Sequence, residues 1–185
     1  MTPVENAEAV IGEMRRVRQV RQYHPDAVPD DVLARLLEVA RWTGSSRNTQ
    51  PWHFIVITDK EQLRQISQVR PSINWVAGAP LAIAIVLDGG SGVTEAFDEG
   101  RITERLLIAA QLLGLGGGTA WFGDASQQEA AKRILGIPAE RTAHSVVTLG
   151  SPMTTADPRP NPVPPGRNPL SEIVSYDAMG QSRSS

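Results

Sequence analysis

The chain has no cysteine, an absence that removes a disulfide framework, a thiolate zinc site and a thiol nucleophile together. Its three histidines, His24, His53 and His144, are too widely spaced for a short metal motif, so no metal ligand is assigned. Long apolar runs are missing as well. The longest, APLAIAIVL over 79–87, has about half the length of a membrane-spanning helix and predicts a buried strand. Nor does one sign of charge dominate: 18 basic against 20 acidic residues leave a formal charge of −2. No global field then draws the chain to nucleic acid or to an anionic membrane, and neither is expected as a partner. The first residues, MTPVENAEAV, lack a basic segment followed by an apolar one; no secretory signal is expected, and the expected location is cytoplasmic.

A chain of 185 residues suits one domain that removes roughly 70% of its unfolded surface from water. We expect a single domain over 1–185, with 152–185 as an extended arm. Thr2, Pro3 and Glu5 fit a capping box, and Ala7, Val10, Ile11 and Met14 repeat at helical spacing behind it. A second helix is predicted over 30–42, a strand over 53–58, a short helix over 60–69, a strand over 80–87 and a long helix over 93–113. GLGGG at 114–118 is read as the end of that helix. Ser126 and Glu129 suggest a capping box for another helix ending at Gly136, and HSVVTLG at 144–150 reads as a strand. Half of the 14 prolines lie between Pro152 and Pro169, a stretch that cannot be helical. SEIVSY at 171–176 then regains the alternation of a strand or anchor.

Three stretches carry candidate chemistry. GSSRNTQPW at 44–52 concentrates hydroxyl and amide groups that both donate and accept, which suits a neutral heterocycle or a polyol; the other reading is a helix cap and turn. In RRVRQVRQYHP the arginines either complement a helix C-terminus or, for Arg18 and Arg21, converge on a phosphate. GLGGGTAWFG at 114–123 fails the dinucleotide fingerprint in spacing and in order. It is a helix terminator, or a backbone that a flat ligand approaches closely. No Walker motif, nucleophile elbow or zincin motif appears, so no catalytic side chain is assigned.

Taken together, SSRNTQPW, NWVAGAPLAIAIV, AAQLLGLGGGTAWFG, ILGIP, VVTLGSP and GRNPLSEIV resemble the FMN-dependent nitroreductase family over nearly the whole chain. The resemblance implies an α+β fold with a central, mostly antiparallel sheet flanked by helices, and a homodimer whose C-terminal extension reaches over the partner. It implies FMN at the interface and NAD(P)H as reductant. Hydride would pass through flavin N5 to a small, flat, electron-poor acceptor such as a nitroaromatic or quinone. Other flavin reactions on the same scaffold, or flavin binding without turnover, are the alternatives. On this resemblance Gly44, Ser45 and Asn48 approach the ring, with Gln50 nearby. Arg18, Gln19 and Arg21 stand at the N-terminal motif, and Arg167 closes on the phosphate. Asn74 meets the pyrimidine edge, and Trp121, Phe122 and Gly123 pass near N5 largely through backbone. Gln19 replaces a common Ser, Val17 a frequent basic residue, Gly44 a common Pro and Ala77 a lysine. Arg21 is therefore left as the electrostatic stabiliser of the reduced ring.

Overall fold

The structure, a computed structural model, describes residues 6–153 and 166–182. The chain falls into two compact units, Met1–Thr155 and Ala156–Ser185.

The first unit is built on a four-stranded sheet in the order β1-β2-β4-β3, formed by β1 (Trp52–Ile57), β2 (Leu81–Leu87), β3 (Gly116–Trp121) and β4 (Ser145–Gly150). All three pairings are antiparallel. Strand β2 explains the continuous apolar run. Ala82, Ala84 and Val86 pack on one face, with Ile57, Leu63, Ile66 and Phe122, while Leu81, Ile83, Ile85 and Leu87 pack on the other, with Leu36, Ile102 and Leu106. A strand covered on both faces has no solvent side on which to place a polar residue. Helices α3 (Lys60–Ser67) and α5 (Ala125–Leu135) contribute to the first cluster, and α2 (Asp30–Arg41) and α4 (Gly92–Leu112) to the second.

Helix α1 (Ala7–Arg16) buries none of its side chains fully and is tied to α4 by Gln111 Nε2 donating to Glu13 Oε2 at 3.0 Å. The box expected from Thr2, Pro3 and Glu5 lies outside the described residues. For α5 the expected cap is corrected: Asp124, not Ser126, is the N-cap, and it forms a reciprocal box with Gln127. Gly123 precedes it with φ 115°, a conformation that favours glycine.

The glycine run is also corrected. Gly114, at φ 75°, follows α4, but Gly116, Gly117 and Gly118 belong to β3. A Cβ on Gly118 would stand 2.2 Å from the Val20 carbonyl oxygen and 3.0 Å from Trp75 Cη2; one on Gly117 would stand 2.6 Å from Leu107 Cδ2. The bare backbone is therefore filled by the protein's own atoms. Residues after α1 lie along this edge: Gln19 bridges Gly117 in parallel, and the Val20 amide donates to the Gly117 carbonyl at 2.9 Å.

In the second unit, α6 (Leu170–Ile173) occupies part of the stretch read as a strand. Pro169 supplies the φ of −57° that opens this turn. Most of the proline-rich stretch lies outside the described residues.

Candidate functional site

The polar stretch after α2 is the most constrained backbone among the described residues. Three non-glycine residues within four positions have left-handed φ: Arg47 at 52°, Asn48 at 56° and Gln50 at 50°. Each costs on the order of 1–3 kcal/mol unless its surroundings fix it. Short internal bonds supply that fixing. The Gln50 amide donates to Ser45 Oγ at 2.9 Å, the Asn48 amide to the Ser45 carbonyl at 3.1 Å, and the Thr49 amide to the Ser46 carbonyl at 3.1 Å. From α4, Arg105 donates to the Trp42 carbonyl at 2.8 Å and Arg101 to the Gly44 carbonyl at 3.1 Å, so the loop's entry is latched to the long helix. The side chains of Asn48 and Gln50 remain exposed, as does Gly44, while Ser45 is half-buried. A turn alone does not require three such residues, and the strain is held in place beside exposed amides.

At the β3 edge the predicted residues separate by role. Arg18 donates to the carbonyls of Arg15 at 2.8 Å and Val17 at 2.7 Å, satisfying groups at the end of α1. Arg21 instead lies over the Trp75 ring, 5.8 Å from its centroid. Gln19 behaves as an added strand residue: its Nε2 donates to the Thr119 carbonyl at 2.8 Å, and the Thr119 amide donates to its Oε1 at 3.0 Å. The amide is thereby committed to the sheet. Asn74 is exposed on the 3-10 turn Pro71–Gly78.

Beyond β3, Phe122 is fully buried in the core with its amide donating to the His144 carbonyl at 2.9 Å, and Gly123 is buried beside it, whereas Trp121 is 52% exposed. The following carbonyl is held from behind. Gln128 Nε2 donates to Gly123 O at 2.9 Å, which orients its Oε1 toward His144 Nδ1 at 3.2 Å. His144 Nδ1 therefore carries the proton in this contact. Nearby, Glu99 accepts from Ser145 Oγ at 2.5 Å; burial raises its pKa, opposed by that hydrogen bond and by His144 and reinforced by Glu95. Arg167 belongs to the second unit, where it is exposed and donates to the Gly166 carbonyl at 3.4 Å.

Comparison with known proteins decides the family. Residues 14–81 match the family model described as the nitroreductase family. A Methanothermobacter thermautotrophicus protein provisionally named an NADH dehydrogenase/NAD(P)H nitroreductase is 31% identical over 149 residues, covering 77% of each chain. An Archaeoglobus fulgidus protein of the same provisional name is 32% identical over 147 residues, covering 76% of this chain and 83% of its own. The chain belongs to the nitroreductase family. Among solved structures, an FMN-dependent nitroreductase from Clostridium difficile superposes with a TM-score of 0.74 at 25% identity, over 79% of this chain and 89% of that one.

Within this nitroreductase-family chain, the sequence reading missed the supports of the site. Trp75 under Arg21, the α4 latch of Arg101 and Arg105, and the Gln128–His144 pair lie remote in sequence from the groups they hold. No local pattern marks them. For Arg101 and Arg105 the only hint was their i,i+4 spacing on one face of α4.

Proposed function

We propose that the protein is an FMN-dependent oxidoreductase that takes reducing equivalents from NAD(P)H and delivers them to a small, flat, electron-poor acceptor such as a nitroaromatic or a quinone. The observation that carries this reading is the strained 44–50 loop, whose exposed amides Asn48 and Gln50 are held in left-handed backbone. Such amides suit the neutral edges of a heterocycle. FMN, when bound, supplies the redox chemistry.

The chain's own groups then position and polarise. Exposed Asn74 offers an amide to the pyrimidine edge, and exposed Trp121, at the end of β3, stands alongside the ring. Arg21, braced on Trp75, places a cation where negative charge develops on reduction. Arg18 leaves the α1 carbonyls to meet the phosphate. No acid or base from a side chain is needed in this scheme. The cytoplasmic location is part of the same reading.

The site is completed, on this reading, by a second copy of the chain. Val93 (72%) and Phe97 (67%) are exposed on α4. Gly100, one turn further on the same stripe, has open space where a Cβ would stand. A mid-helix glycine costs about 1 kcal/mol relative to alanine, and none of the described residues stands where its Cβ would be. Close approach of another helix would account for it. In the second unit Leu170, Ile173 and Met179 are exposed as well, which suits an arm that covers a partner.

The test is spectroscopic. Purified protein loaded with FMN should be yellow, should bleach anaerobically with NADH or NADPH, and should regain colour on addition of a nitroaromatic or quinone. Yellow protein that never bleaches reduces the reading to flavin binding, and failure to take up FMN ends it. Arg21→Ala should lower the flavin reduction potential; an unchanged potential removes Arg21 from its role.

A further inference from the structure

Arg70 takes no part in the assignments above. Its guanidinium carbon lies 4.9 Å from the ring centroid of Trp121, and its Cδ is 3.3 Å from where a Cβ on Gly123 would stand. Among the described residues the guanidinium has no ion-pair or hydrogen-bond partner. Arg15, Arg35 and Arg47, which likewise lack one, are exposed; Arg70 is partly buried. The nearby Asp124 carboxylate accepts from the Gln127 amide at 3.0 Å within its capping box and does not pair with Arg70.

A partly buried cation without a counter-ion has lost hydration and gained no neutralising charge; the ring returns only part of that loss. Stacking also removes rotamer freedom, so the fork is oriented before any ligand arrives. A planar, preorganised guanidinium matches a carboxylate or phosphate through two parallel hydrogen bonds. Trp121, half exposed at the end of β3, presents a flat apolar surface beside it.

We propose that Arg70, braced on Trp121, is a specificity residue that recognises a carboxylate or phosphate on the substrate entering over the Trp121–Gly123 segment. The proposal rests on the functional reading above, because that reading is what brings substrates to this segment. Two sources share the chemistry: the 2′-phosphate of NADPH and a carboxylate on the acceptor.

Arg70→Gln keeps a polar side chain and removes the charge. Full-length FMN-loaded wild type and variant are compared with NADPH against NADH, and with 4-nitrobenzoate against nitrobenzene. The expected result is a fall of roughly tenfold in kcat/KM for the member of one pair that carries the additional anionic group, NADPH or 4-nitrobenzoate, with its counterpart lacking that group within about twofold. The pair that moves identifies the source. Binding of 4-nitrobenzoate and of NADP⁺, followed by tryptophan fluorescence without turnover, should weaken in parallel for that source. Equal losses for both members of each pair, or no loss, at unchanged FMN content overturn the proposal and leave the functional reading standing. If the wild type takes up no FMN, the functional reading fails and the fluorescence titration alone decides. Arg70 then stands only if one of the two anions binds wild type more tightly than Arg70→Gln.

Discussion

The hydroxyl of Ser45 accepts a hydrogen bond from the backbone amide of Gln50, five positions further on, at 2.9 Å. That bond holds Gln50 at φ 50° and, with it, the direction of two exposed amides. Ser45→Ala removes one bond of about 1 kcal/mol. We expect FMN affinity, measured by quenching of flavin fluorescence, to fall roughly fivefold while the melting temperature hardly moves. Unchanged affinity would separate the loop's geometry from cofactor binding.

Gly118 makes the opposite kind of prediction, one about folding. Its missing Cβ leaves room for the Val20 carbonyl oxygen at 2.2 Å, a backbone atom that no rotamer change can move. Gly118→Ala should therefore cost about 1–3 kcal/mol or more, read from urea denaturation. A neutral substitution would show that the segment before α2 is free to retreat from β3.

The two possible caps of α5 can be told apart directly. Asp124→Ala should destabilise the fold by about 1 kcal/mol, while Ser126→Ala, at an exposed position within the helix, should be close to neutral. The reverse ranking in chemical denaturation would restore the cap that the sequence suggests.

Glu99 ties stability to pH. Its pKa is raised chiefly by burial, so the folded state holds this proton more tightly than the unfolded chain does. The stabilisation is fully present below the ordinary carboxylate range and is lost as pH rises through the raised folded value. His144 and Glu95 are the charged neighbours acting on it. Glu99→Gln keeps an oxygen for Ser145 and removes the charge. It should melt a few degrees higher than wild type near pH 7, and the gain should shrink as the pH falls toward 4. A gain independent of pH would place its cause elsewhere.

Phe97→Asp tests the assembly. A charge at this exposed position on α4 leaves the subunit core untouched, so sedimentation should show folded monomers in place of dimers, with reduced FMN retention. A wild type that sediments as a monomer removes the second copy from the site.

Much of the fold was legible because burial imposes a period on the sequence. The apolar stripes of α2 and α4 and the continuous run of β2 follow from covering one face of a helix or both faces of a strand. The loop at 44–50 stood out by its side-chain chemistry, which suits a neutral heterocycle or polyol and equally a helix cap and turn. β3 was not legible: glycines have low strand propensity and equally suit a helix end. Its identity depends on Val20, Trp75 and Leu107 pressing on it from distant positions.

By itself, then, the sequence determined the layers, the apolar faces and the amide- and hydroxyl-rich composition of one loop, because each is set by residues within a few positions of one another. Tertiary structure alone decided that three glycines form a strand, that Gln19 is spent on Thr119, and that Arg21 and Arg70 are each braced on a tryptophan. Those outcomes depend on which distant side chains arrive at the same place, and chain order carries no local record of that.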